Sequence, residues 1–189
     1  MKTFVDTNVL VYAHDTDAGD RHATAKALLA ELWDGRSGSL STQVLQEFYA
    51  VVTRKFKPAM PRAKARAIVA AYGEWCAVAT EPQLIISASR LEEEHTLSFW
   101  DALIVQAAIQ VGAERLVSED LQNGRRFGVL TIENPFRRAS SLAGHRPVSR
   151  GTGILPTGLI REYCNCSIPA AIALSDGPGK KAPRNSSRG

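Results

Sequence analysis

Short apolar runs alternate with longer helical segments along most of this chain, and few topologies accept that order. The runs KTFVD, GSLST, CAVAT, ERLVSED and VLTIE each suit one strand. Between them, VLVYAHD, the segment from Asp20 to Gly35, TQVLQEFYAVVTRKF, RAKARAIVAAYGEW, PQLIISASRLEEEH and FWDALIVQAAIQVG read as helices. Strands separated by helices lie parallel, and the helices cover both faces of the sheet. The expected fold class is therefore α/β, a central parallel sheet flanked by helices.

The ends of the helices carry their own signals. Thr7 or Asn8 starts the first helix, Asp20 is the expected N-cap of the second, and Gly35 stops it. Pro61 suits a first turn, Ser98 is an expected N-cap, and Gly112 closes the most strongly helical stretch.

After about Pro135 this order fails. Residues 137–189 are rich in Arg, Ser, Gly and Pro without periodicity, and are expected to form a largely irregular, disordered extension to a domain spanning 1–136. Charge divides at the same place. Residues 1–136 hold 14 Lys+Arg against 17 Asp+Glu, a net −3, whereas 137–189 hold 9 against 2, a net +7. The domain must therefore bind any polyanion through a local basic patch or a metal, since its overall field is repulsive. Of three cysteines, only Cys76 lies in the domain, and Cys164 and Cys166 lack the second half of a zinc site. No run of about 18 apolar residues suggests a membrane helix, and the start does not read as a secretory signal, so the expected location is cytoplasmic.

Four acids stand where solvated carboxylates are not expected. Asp6 ends the first strand-like run, and Asp120 follows RLVSE. Glu47 shares a helix face with Val44, Ala50 and Val51. Asp101 lies in a first turn, where the helix dipole favours an acid, yet on the stripe of Ile104, Val105 and Ala108. In an open α/β sheet, ligands gather at the carboxyl ends of the strands, and all four acids are expected at that end. Carboxylates crowded into one pocket repel each other unless a cation joins them. Mg²⁺, with Mn²⁺ as substitute, fits such an oxygen-rich site and serves phosphoryl chemistry.

At this point the motifs carry a family resemblance. FVDTNVLVYA resembles the opening motif of PIN-domain nucleases, in particular the VapC toxins of toxin–antitoxin pairs. STQVLQEFYAVVTRK, LSFWDALIVQAA and RLVSEDLQNGRRFGVLTIENPF follow in family order, so that the resemblance covers roughly residues 1–136. It implies a PIN-like fold and Mg²⁺-dependent cleavage of RNA. Asp6, Glu47 and Asp101 match the three core acids, and the resemblance implies Asp120 over Glu119 as the fourth, because the family places an acid or asparagine two positions after a Ser or Thr, here Ser118. Thr7, Asn8 and Ser118 match supporting positions. The resemblance further implies a homodimer and a neutralising antitoxin. The extension over 137–189 departs from the family pattern.

Three rivals compete with a toxin: a PIN nuclease of RNA processing, a non-catalytic interaction domain, and a phosphatase of the haloacid-dehalogenase kind. The last needs a second Asp two positions after the first, where this chain has Asn8. Arg54, Arg62, Lys64 and Arg66, with Lys55 and Lys57, form the domain's basic cluster, a candidate contact for RNA phosphates. His14 and His22 read as exposed helix histidines, LEEEH as a solvated face, and Trp33, Phe48, Trp75, Phe99 and Trp100 as core or dimer surface.

Overall fold

The computed structural model of the chain describes residues 1–137. The expected extension, with Cys164 and Cys166, lies outside the described residues apart from Arg137. Six strands and six α-helices follow one another in the order β1 (Thr3–Val5), α1 (Thr7–His14), α2 (Asp20–Asp34), β2 (Gly38–Ser41), α3 (Thr42–Arg54), α4 (Arg62–Tyr72), β3 (Cys76–Val78), α5 (Pro82–His95), α6 (Phe99–Gln110), β4 (Arg115–Val117), β5 (Arg126–Phe127) and β6 (Leu130–Glu133). The strand order is β3-β2-β1-β4-β6-β5, parallel throughout except for the β5–β6 pair. This is the expected α/β class, with a mostly parallel sheet between helices.

The topology decides where a site can form. From β1 the chain winds outward through β2 to β3, then crosses to the other side of β1 and continues from β4. The order reverses between β1 and β4, so the helices that follow these strands diverge and leave a crevice at their carboxyl ends. Val5 pairs with Val117, which sets Asp6 beside Ser118 across that crevice.

Both central strands are buried on both faces, as helical crossovers require: Phe4, Val5, Leu116 and Val117 are fully inaccessible. Phe48 and Val52 from α3, Leu10 from α1, and Ala102 to Val105 from α6 close over them. Three local expectations change. The N-cap of α2 is Gly19, and Asp20 becomes the first helical residue, where its charge suits the helix dipole. β5 was not expected. It turns into β6 through Gly128 and Val129, with Gly128 at φ 60°, a two-residue hairpin that needs glycine at its first position. His14 is half-buried, edge-on to Phe48 and Tyr72, with its Nε2 3.3 Å from the Tyr72 hydroxyl. Burial first, and then the charges of Lys64, His22 and Lys26, lower its pKa to about 4.

Trp75, just before β3, packs against Trp33 and Tyr72 and lies over Gly38 of β2. It leaves no room at Gly38, where a Cβ would sit 2.6 Å from its ring. Gly38→Ala should therefore destabilise the domain by about 1–3 kcal/mol through overpacking, measured as a lower urea midpoint with unchanged slope. An unchanged midpoint would show that the Trp75 ring moves aside. No helix among the described residues is long and apolar enough to cross a membrane.

Candidate active site

The crevice between β1 and β4 opens into a cavity of about 300 Å³. Asp6, Glu47, Asp101 and Asp120 all line it, together with Thr7, Asn8, Val11, Tyr12, Gln43, Val51, Trp100 and Ile104. Four elements far apart in sequence thus deliver one carboxylate each.

Asp6 caps α1 in extended conformation, φ −79° and ψ 159°, and its Oδ1 accepts from the Thr7 amide at 2.6 Å. Its own amide donates to the Val117 carbonyl, so the cap is also part of the sheet. The second oxygen, Oδ2, accepts from the Ser118 hydroxyl at 2.6 Å and from Asn8 Nδ2 at 3.0 Å. Ser118 is fully buried, and its Oγ also accepts the amides of Asp120 and Leu121. One hydroxyl therefore orients the first acid and shapes the loop that carries the fourth. Asn8 Nδ2 also reaches Asp120 Oδ2 at 3.1 Å, linking Asp6 with Asp120.

Glu47 faces the cavity from the second turn of α3. The Thr7 hydroxyl donates to its Oε2 at 2.7 Å, and Gln43 Nε2, one turn earlier, donates to its Oε1 at 2.9 Å. Asp101 enters from the first turn of α6, whose N-cap Ser98 accepts the Asp101 amide at 3.2 Å. The cap sets where the helix begins and hence which residue of its first turn meets the cavity.

This gathering has an electrostatic cost. Asp6 is held at a pKa of about 6, above the ordinary 3.8, chiefly by burial, with the charges of Glu47 and Asp120 adding to the rise. The bonds from Ser118 and Thr7 oppose it and do not cancel it. Among the described residues no three His, Cys, Asp or Glu side chains converge into a closed ligand cluster. The acids stand around the cavity and do not meet at one point.

The neighbouring acid Glu119 does not line the cavity. It accepts from the Tyr12 hydroxyl at 2.6 Å and from Arg21 Nε at 2.9 Å. Burial would raise the Glu119 carboxyl, but these two bonds bring it below its usual value. The same bond to Glu119, and then burial, push Tyr12 up to about 12. Arg54, Arg62, Lys64 and Arg66 are exposed and none of them lines the acidic cavity. Lys64 instead borders a second hollow of about 480 Å³, beside Lys55, Lys57 and His14. Gln43 and Tyr12 are cavity residues that the motifs do not single out. The position of Gln43, one helical turn before Glu47, was the available signal.

Residues 3–125 match the sequence pattern of the PIN domain. The chain belongs to the PIN-domain family. Two solved structures resemble this PIN domain. VapC20 of Mycobacterium tuberculosis, described as a toxin that cleaves the sarcin–ricin loop, is 25% identical, with a TM-score of 0.46 over 61% of this chain and 87% of its own. VapBC2 from Rickettsia felis, bound to a DNA fragment from its promoter, is 19% identical, with a TM-score of 0.47 over 71% of this chain and 98% of its own. No curated protein matches the sequence.

Proposed function

We propose that this PIN protein is a divalent-metal-dependent endoribonuclease, the toxin of a VapC-type toxin–antitoxin pair. The observation that carries the reading is the lining of one cavity, at the topological switch point, by Asp6, Glu47, Asp101 and Asp120. Membership of the PIN family supports it.

The donor set fits a hard cation. All four groups are carboxylates, and the one most withdrawn from water, Asp6, is raised further by two like charges. Mg²⁺ usually keeps several waters and takes one or two carboxylates directly, so acids spread around a cavity suit it better than a closed cage would. Asp6, Glu47, Asp101 and Asp120 would hold Mg²⁺ or Mn²⁺. When bound, the ion supplies charge to a phosphate oxygen and acidifies a coordinated water.

The protein's own groups prepare that chemistry. Ser118 and Asn8 fix one oxygen of Asp6, and Thr7 and Gln43 fix both oxygens of Glu47. These carboxylates meet the substrate already oriented, without reorganising as charge develops. A cavity carboxylate takes the proton from the attacking water. Arg54, Arg62, Lys64 and Arg66 lie outside the cavity, where they can hold phosphates of the flanking strand. The reading extends to a homodimer and a cognate antitoxin as partners.

Its test is cleavage of a single-stranded RNA by the full chain. The expected result is cleavage with Mg²⁺ or Mn²⁺, none with EDTA, and recovery when the ion is restored. Full cleavage in EDTA would overturn the metal requirement. Growth arrest on expression, relieved by a co-expressed antitoxin, distinguishes a toxin from a PIN nuclease of RNA processing.

A further inference from the structure

The acidic cavity presents a problem for a nucleic-acid enzyme. None of its lining residues is Lys or Arg, and four are carboxylates, so the cavity repels the backbone that must enter it. Apart from what a bound cation supplies, affinity near the acids must come from uncharged contacts. Two features of the wall supply them. Trp100, immediately before Asp101, is 63% exposed although it is among the largest apolar side chains of the domain. Phe99 packs edge-to-face against it, with ring centroids 5.4 Å apart. Gln43 is 4% exposed, and while its Nε2 is used by Glu47, its Oε1 is buried with no hydrogen-bond partner. A buried acceptor without a donor is costly unless a ligand provides one.

Resting on the nuclease reading above, we infer that this cavity grips RNA through a nucleoside: its base stacks on Trp100, and one of its hydroxyl or amino groups donates to Gln43 Oε1. The volume of about 300 Å³ is at the lower end of small-molecule sites and suits one nucleoside unit. Stacking is indifferent to charge, so it survives beside carboxylates that would weaken a phosphate contact. It is also tolerant of base identity. Trp100 and Asp101 line the same cavity, so a stacked base places its own phosphodiester near the acids.

The test is binding of a fluorescein-labelled single-stranded RNA to the full chain in EDTA, followed by anisotropy. Cleavage kinetics in Mg²⁺ run in parallel. Trp100→Ala should weaken binding about tenfold and raise KM by a similar factor, while Trp100→Phe, which keeps an aromatic face, stays within about threefold of the parent. Inorganic polyphosphate carries charge without bases, and its binding should not respond to either change. Val129→Ala removes an apolar side chain that is 73% exposed and does not line the cavity, and should leave Kd unchanged. The inference is overturned if the parent binds and cleaves RNA but Trp100→Ala does so equally well, or if Trp100→Phe is as weak as Trp100→Ala. Equal weakening of polyphosphate binding would also overturn it. So would weaker self-association of Trp100→Ala with an unaltered RNA Kd, because Trp100 would then serve a protein contact. A parent that neither binds RNA nor cleaves it in Mg²⁺ would refute the nuclease reading, and this inference with it. Replacing the RNA by DNA of the same sequence, in the parent and in Gln43→Ala, tests the donor: a loss of affinity in the parent that Gln43→Ala does not show assigns a 2′-hydroxyl to Gln43, and a Gln43→Ala that binds RNA as tightly as the parent overturns the Gln43 contact.

Discussion

Asp6→Asn and Asp101→Asn should each reduce RNA cleavage by about 10²- to 10³-fold while the domain still unfolds cooperatively. The size follows from the several kcal/mol that charge stabilisation at a phosphoryl centre contributes, at tenfold per 1.36 kcal/mol. Asparagine keeps the shape of aspartate and remains a good N-cap, so the Oδ1 contact with the Thr7 amide is retained in Asp6→Asn. What it loses is the charge and the acceptor that the Ser118 hydroxyl and Asn8 Nδ2 share, because the amide nitrogen replaces Oδ2. The loss of charge itself should not harm the fold. The folded pKa of Asp6 is about 6 against 3.8 in the unfolded chain, so the folded state binds the proton more tightly. The stability this contributes is fully present below pH 4, is lost as pH rises toward 6, and stays lost above. At pH 7.5 the ionised group therefore costs roughly 3 kcal/mol relative to an unperturbed aspartate. Asp6→Asn removes this cost but leaves the Ser118 and Asn8 donors facing an amide nitrogen, at about 1–3 kcal/mol, so its stability at pH 7.5 should stay close to that of the parent, as measured by urea unfolding. An inactive variant that is also unfolded would say nothing of chemistry. An active, folded one would remove Asp6 from the site.

The opposite signs of the two effects are characteristic of a site held together against its own repulsion. Burial, and then Glu47 and Asp120, make Asp6 harder to ionise, and Ser118 and Thr7 make it easier. A structural ion pair would show a nearby cation doing this work. Here the described lining holds no Lys or Arg, and the nearest arginine network, Arg21 with Glu119, stabilises the outer side of the loop after β4.

Much of this was legible in the sequence because the signals are local. A strand that ends in a carboxylate, a Ser three residues before Asp101, and a glutamate among apolar residues at helical spacing each carry their meaning within a few positions. The class of fold follows in the same way from alternation. Features that depend on distant partners were not legible. His14 lies on a helix that reads as partly exposed, and only the arrival of Phe48 and Tyr72 buries it. β5 has two residues, too few to show any alternation, and exists because β6 offers it a partner. Asn8 reads as a brace for Asp6, but its reach to Asp120, 112 positions away, is set by the β1–β4 register. Trp100 reads as core or dimer surface. Leu103, Ile104 and Ala107, on its own face of α6, are buried, whereas Trp100 in the first turn stands at the cavity and stays 63% exposed.

Divalent cations should raise the melting temperature at pH 7.5, and this effect should vanish near pH 5. A ligand that binds only the folded state stabilises it by RT ln(1 + [L]/Kd), about 1.4 kcal/mol at ten times Kd, or roughly 5 °C for a domain of this size. The pH dependence follows from Asp6. Its carboxyl must release a proton to accept the ion, and with a pKa of about 6 it is mostly charged at pH 7.5 and mostly protonated at pH 5. An isolated surface carboxylate, titrating near 4, would remain available at pH 5, so the loss of the effect there distinguishes this cavity from casual binding elsewhere. Melts followed by circular dichroism with Mg²⁺, with Mn²⁺, and with NaCl at matched ionic strength provide the measurement. The rise should be absent from Asp6→Asn at every pH. If NaCl alone produces it, or if Asp6→Asn retains it, the ion acts by screening the domain's net −3 charge, and the cavity is not its site.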